Sequence, residues 1–194
     1  TRKPIRIDFC DYGPGYSKTN NFFYNVLKQR FDIEVTDQPD YVIYATPEGH
    51  LHRLYNCVRI YFGIESFPPD WSECDYAMTC HYLQDPRHLR LPYYALYGNT
   101  RYLDKQRDDP EAILRAKSRF CGFVVSNAGK RKTQKRVDFF HRLSRYKRVD
   151  SAGRAFNNIG GPLPIEGNAK LNFLKTCKFN IAFENASLPG YTTE

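Results

Sequence analysis

Long apolar runs are missing from this 194-residue chain. Its uninterrupted apolar stretches are short, such as Phe123 to Val125, against the roughly 20 residues a membrane span needs. The first residues, Thr-Arg-Lys-Pro, hold no apolar signal-peptide core, and the start without methionine leaves a removed leader or anchor open. None of the six cysteines stands in a C-x-x-C pair, which excludes a zinc module or a dense disulfide framework. Reduced, buried thiols in a cytosolic protein are the simplest reading, and a single disulfide between Cys74 and Cys80 stays open. There is no internal repeat, no low-complexity tract, no G-x-G-x-x-G and no G-K-S/T loop. A D-x-D acidic pair of the kind that holds a metal is also absent; the nearest approach is Glu73-Cys74-Asp75. The pair His50 and His52 has no third ligand nearby and is expected on the ordinary surface.

Anionic charge is scarce in one place. The segment from Lys130 to Arg148 carries nine cations against one anion, Asp138, and so accounts for the chain's entire net charge of +8. The remainder is neutral. This points to one local anion site, or to one solvated basic helix face, rather than to a protein that is basic throughout.

A globular composition is present: 41% hydrophobic, 15% aromatic and 26% charged residues. Short β-rich stretches are expected as strands at 5–9, 33–35, 41–45, 58–62, 75–78, 120–125 and from 149, with another carrying Phe179, Ile181 and Phe183 to its end at Glu184-Asn185. Amphipathic spacing predicts helices over 21–31, 111–117, from a Thr133 cap to 146, and over 171–175, and a short one beginning near Arg53. Alternating strands and helices imply a mostly parallel three-layer α/β architecture. The charged, structure-breaking stretch 104–110 suggests a boundary between a first lobe, 1–117, and a second, 118–194. The second lobe shows only about three strands, fewer than the usual 5–6, so the chain is expected to be a fragment of a longer protein, truncated in that lobe.

In open parallel sheets, ligands sit at the carboxyl ends of the strands. Arg136 falls in the first turn of the helix after such an end, where exposed N–H groups and a guanidinium fork suit a diphosphate. Glu65 follows the strand 58–62, where a carboxylate serves as a general base or as a plain solvated loop residue. Asn185-Ala-Ser187 is a formal glycosylation sequon, but its place at the end of a core strand argues against use.

Several stretches taken together resemble the α1,3/4-fucosyltransferase family. They are Phe123-Val-Val-Ser-Asn127, Arg136, Phe139-Phe140, Val149-Asp-Ser-Ala-Gly153 with Asn157-Asn158, Lys178-Phe-Asn-Ile-Ala-Phe-Glu-Asn185, and Gly190-Tyr-Thr-Thr-Glu194. Pro39-Asp40-Tyr41, Glu65-Ser66, Asp75-Tyr76-Ala77 and Asp85-Pro86-Arg87 with Leu89-Arg90-Leu91-Pro92 extend the resemblance over nearly the whole chain. The resemblance implies two Rossmann-like α/β lobes of GT-B type, the first facing the acceptor and the second binding GDP-β-L-fucose. It implies a single inverting displacement, in which a glycan hydroxyl, typically O3 of N-acetylglucosamine in an N-acetyllactosamine-like acceptor, attacks the anomeric carbon. Glu65 matches the family's base and Arg136 its diphosphate-binding arginine. Asn185, Tyr191 and Glu194 match contacts to the nucleotide-sugar, and Glu184 belongs to the same motif. No metal site or required cofactor is implied, although Mn or Mg ions would be compatible with easing GDP departure. The family's lysine after Y-x-T-E falls past Glu194, so this chain alone is expected to bind donor poorly. A bacterial cytoplasmic enzyme acting on surface glycans is the expected setting, with peripheral membrane contact through the basic helix and a Golgi lumen as alternatives. The competing function is a basic polyanion- or nucleic-acid-binding protein using Lys130 to Arg148; the resemblance implies no nucleic-acid partner.

Overall fold

A computed structural model describes residues 4–45, 49–63, 65–97, 109–129, 133–164, 167–184, 186 and 188–191. The chain forms two compact units, one of Thr1–Thr100 with Ser187–Glu194, the other of Arg101–Ala186. Each is built on a parallel sheet, so the fold class is α/β with two Rossmann-like halves.

The first unit carries six strands: β1 (Ile5–Cys10), β2 (Ile33–Val35), β3 (Tyr41–Tyr44), β4 (Val58–Gly63), β5 (Tyr76–Thr79) and β6 (His88–Arg90). They lie in the order β2-β1-β3-β4-β5-β6, every pair parallel. Side chains alternate between the two faces, and both faces are filled. Ile7, Phe9, Ile43 and Phe62 pack with Phe23 on one side. Cys10, Val42, Tyr44, Tyr61 and Ala77 pack with Cys74 on the other. Asp8 is buried among them, and it is satisfied by the Phe9 N–H at 2.8 Å, the Tyr55 hydroxyl at 2.7 Å and Lys18 Nζ at 2.6 Å.

Helix α1 (Phe22–Leu27) is shorter than the 21–31 its apolar spacing predicts. Asn21 is its cap rather than its first residue, and the side chain accepts from the Tyr24 N–H at 2.9 Å. At the other end the hydrogen bonds tighten from i−4 to i−3, from Gln29 to Val26 at 3.3 Å and from Arg30 to Leu27 at 3.0 Å, which closes the helix before β2. The short helix expected near Arg53 is a 3₁₀ turn over Leu51–Leu54. Strand β6 and a second 3₁₀ turn, Tyr93–Tyr97, escaped the sequence reading because each is a short turn or edge element without a period of its own.

The second unit begins with α2 (Pro110–Ala116) and holds β7 (Arg119–Phe123), α3 (Gln134–Tyr146), β8 (Val149–Ser151), α4 (Ala169–Lys175) and β9 (Cys177–Asn180). Its strands run parallel in the order β8-β7-β9. Phe140 of α3 packs with Cys121, Phe123, Val149 and Ile181 on one face, and Phe173 of α4 packs with Cys177 and Ala152 on the other. The alternation of Phe179, Ile181 and Phe183 predicts a strand reaching Glu184, but β9 stops at Asn180. Its register partner there is Gly122, one residue from the end of β7, and the Ile181 N–H makes the last ladder contact, to Gly122 O at 3.0 Å. All six cysteines are free thiols, Cys74 and Cys80 included.

Candidate active site

Glu65 stands two residues beyond the end of β4, at the carboxyl edge of the first sheet. Its Oε2 accepts a hydrogen bond from the Tyr191 hydroxyl at 2.9 Å, across 126 residues of sequence. Tyr191 is buried, so the donor is held by packing, while Glu65 itself is exposed. The result is a solvent-reaching carboxylate with a fixed direction, which is what a general base requires. The resemblance implied a nucleotide-sugar contact for Tyr191; here its hydroxyl is on Glu65.

In the second unit, α3 starts a short way beyond β7, and Arg136 lies in its first turn. Arg136 is buried, and its Nη2 donates to the Asn127 backbone carbonyl in the loop that follows β7. Burial pulls the Arg136 pKa down, and the charge of Glu184 opposes that pull. The guanidinium is thereby aimed by the same loop that precedes the helix N-terminus. Loop 152–161 is tied to the end of β7 and to the loop after it by backbone bonds from Ala152 to Phe123 O at 2.9 Å and from Ala155 to Val125 O at 3.0 Å. Asn157 and Asn158, singled out in the sequence, hold the second loop together: Asn158 Oδ1 accepts from the Ser151 N–H at 2.8 Å, and Asn157 Nδ2 donates to Gly153 O at 3.0 Å. Asn185 and Glu194 lie outside the described residues.

Among its described residues, the basic segment is divided between buried, paired and exposed cations. Arg136 is buried, and Arg148 pairs with the buried Asp150, which also holds Arg119 at 2.9 Å. Lys130, Arg131 and Lys132 lie outside the described residues, and Lys135, Arg142, Arg145 and Lys147 are exposed.

A second constellation departs from the sequence expectation. His52, expected on the surface, is only 1% exposed. Its Nδ1 lies 2.7 Å from Asp11 Oδ2 and its Nε2 lies 2.8 Å from Glu73 Oε2, and its ring stacks on Tyr44 at 4.0 Å. Burial pushes the Asp11 carboxyl up, but the hydrogen bonds from the His52 ring and from the His52 and Leu51 N–H groups outweigh it and leave it below its usual range. Arg53 first and His52 second hold Glu73 down to about 2. These contacts join three loops at the carboxyl edge of the sheet: the one after β1, the one after β3, and the one after β4 that also carries Glu65. The sequence feature that belongs to it is Glu73-Cys74-Asp75, whose Glu73 is met by Arg53 and His52.

Comparison with known proteins adds the following. Residues 7–97 match the model of the α-(1,3)-fucosyltransferase FucT N-terminal domain, and residues 114–194 match the C-terminal model of glycosyltransferase family 10 (fucosyltransferase). The chain is 24% identical over 216 aligned residues to the α-(1,3)-fucosyltransferase FucT of Helicobacter pylori, an alignment covering 90% of this chain and 43% of that protein. It is 35% identical over 85 residues to mouse α-(1,3)-fucosyltransferase 7, covering 44% of this chain and 20% of that one. The chain thus spans less than half the length of these relatives. Among solved structures, an α1,3-fucosyltransferase crystal structure superposes with a TM-score of 0.75 at 23% identity, over 98% of this chain and 64% of the other. A structure of α1,3-fucosyltransferase with GDP-fucose gives 0.73 at 24% identity, over 98% and 63%.

Proposed function

This chain belongs to the fucosyltransferases of glycosyltransferase family 10, and we propose that its protein moves L-fucose from GDP-β-L-fucose to a glycan hydroxyl, O3 of an N-acetylglucosamine, with inversion. The observation that carries the reading is the Glu65–Tyr191 hydrogen bond at the end of β4. An exposed carboxylate oriented by a buried phenol suits removal of a proton from an incoming sugar hydroxyl. In that step the hydroxyl oxygen bonds to the anomeric carbon, its proton passes to Glu65, and the bond from that carbon to the GDP oxygen breaks. Attack opposite the leaving group inverts the centre. The departing diphosphate gathers negative charge, and Arg136 with the first-turn N–H groups of α3 supplies donors for it. Glu184, Asn185 and Glu194 are proposed to surround the nucleotide-sugar. The donor seen in one solved relative, GDP-fucose, is of the class that such a site takes.

The scheme needs no chelated metal, and a divalent ion would act only by easing GDP departure. Six free thiols support a reducing compartment, and we place the protein in the cytoplasm. Among the described cations of the basic segment, Arg136 is buried and Arg148 is paired with Asp150, which counts against the polyanion reading.

The test is fucose transfer to N-acetyllactosamine, followed by mass spectrometry on the full-length protein, beside calorimetric titration with GDP-fucose, GDP-mannose and UDP. Glu65→Gln is expected to lower the rate by about 10²- to 10⁴-fold while GDP affinity is kept. Absence of guanosine preference in the titration overturns the assignment.

A further inference from the structure

Three neighbouring parallel strands, β4, β5 and β6, end at one edge of the first sheet. Glu65 follows the first of them. Tyr82 stands three residues beyond Thr79, the last of β5, and Arg90 is the last residue of β6. Ligands of parallel sheets sit at this carboxyl edge, yet the proposed transfer uses neither Tyr82 nor Arg90.

Tyr82 is 69% exposed, unlike the buried Tyr191. An exposed tyrosine needs no explanation by itself; this one is fixed from two directions. The Arg90 guanidinium lies over its ring, 4.3 Å from the centre. Arg90 Nε is shut off from solvent and has no hydrogen-bond partner among the described residues. Leaving that donor unpaired costs stability, so the arginine is placed for the ring and not for a carboxylate. The ring edge meets the turn at Gly190, whose φ is +87°. A Cβ there would stand 2.9 Å from Tyr82 Cε2 and 3.2 Å from Cδ2, and would collide with the Cys80 carbonyl. Glycine lets ring and turn come this close. The next residue is Tyr191, whose hydroxyl donates to Glu65 at 2.9 Å. A run of contacts thus joins Tyr82, Gly190, Tyr191 and Glu65, all in the first unit. It passes along the Tyr191 side chain, so Tyr82 stands beside the base and not on it.

A ring with one face on a guanidinium presents its other face. A tyrosine held in this way offers a flat, amphipathic surface at little entropic cost. The matching ligand surface is a pyranose with its C–H groups gathered on one side. Galactose has such a side, because its axial hydroxyl leaves the opposite face free of polar groups. We propose that Tyr82 is a specificity-determining residue: its open face stacks on the sugar next to the one that reacts, the galactose of an N-acetyllactosamine acceptor. The inference rests on the function proposed above, with Glu65 as base and a glycan as acceptor.

The experiment compares two acceptors on the full-length protein, N-acetyllactosamine and N-acetylglucosamine without the galactose. Tyr82→Ala is expected to raise the KM for N-acetyllactosamine about tenfold, with the KM for N-acetylglucosamine and for GDP-fucose within about twofold. Tyr82→Phe keeps the ring face and is expected to keep the KM of the unsubstituted protein. Saturation-transfer difference spectra of N-acetyllactosamine on the unsubstituted protein, with GDP present, are expected to show the galactose C–H protons in contact. These spectra decide if the alanine variant does not fold. An unchanged KM for N-acetyllactosamine in Tyr82→Ala, a loss in Tyr82→Phe as large as in Tyr82→Ala, or silent galactose protons overturn the stacking. So does a fall of kcat on both acceptors at unchanged KM, the signature of a ring that only props the Gly190 turn. No transfer to either acceptor by the unsubstituted protein overturns the function itself, and the stacking with it.

Discussion

At the residue scale, the Tyr191 hydroxyl donates to Glu65. Tyr191→Phe keeps the buried ring and deletes the donor. Loss of a hydrogen bond to a charged group is worth about 1.5–3 kcal/mol, so kcat is expected to fall roughly 10- to 100-fold. The KM for GDP-fucose is expected to stay near its original value, and steady-state kinetics on the full-length protein checks both. Glu65 was legible as a carboxylate at a strand end, and Tyr191 through its motif. Their meeting was not legible, because no local pattern links positions 126 residues apart. His52 shows the same limit more sharply. Two histidines at a two-residue spacing look like surface until the fold brings Asp11, 41 residues away, and Glu73, 21 away, to the two sides of one ring.

At the scale of elements, the packing of the second-unit loops turns on Gly153. A Cβ there would fall on the backbone of Val125, which cannot yield as a flexible side chain does. Gly153→Ala is expected to destabilise by about 1–3 kcal/mol, each kcal/mol lowering the thermal midpoint by about 2–4 °C in a chain of this size. Gly129→Ala, with nothing within 4 Å of the added carbon, is the matched control and should leave the midpoint unchanged. Calorimetry or circular dichroism separates the two. Strand positions were legible because both faces of each sheet are filled, so β-rich runs stand out between polar turns. Strand ends were less so. The apolar alternation through Phe183 continues past β9 because Phe183 packs on Phe139 at 5.3 Å outside the ladder, which is tertiary contact and not strand pairing.

At the scale of the molecule, acid is expected to undo the first unit's carboxylate clamp. A carboxyl held below its ordinary range contributes stability that is complete above the unfolded value and is lost as pH falls through the folded one. For Glu73 that window runs from 4.5 down to about 2, and Asp11 shifts in the same direction. Protonation also raises a net charge that already stands at +8, adding self-repulsion. The urea midpoint is therefore expected to hold steady from about pH 7 to 5 and to drop steeply below 4.5, the ordinary value for Glu73. Glu73→Gln is expected to flatten that drop, and equilibrium unfolding across the range checks it. The placement of residues 188–191 with the first unit also has a consequence in time. On the ribosome, strands β1 to β6 emerge and can pair long before Tyr191 is made. Glu65 then waits for its partner through the synthesis of the entire second unit, and a nascent chain cut short anywhere in that interval carries the carboxylate without its orientation. Synthesis of Tyr191 and arming of the proposed base are, in this arrangement, the same event.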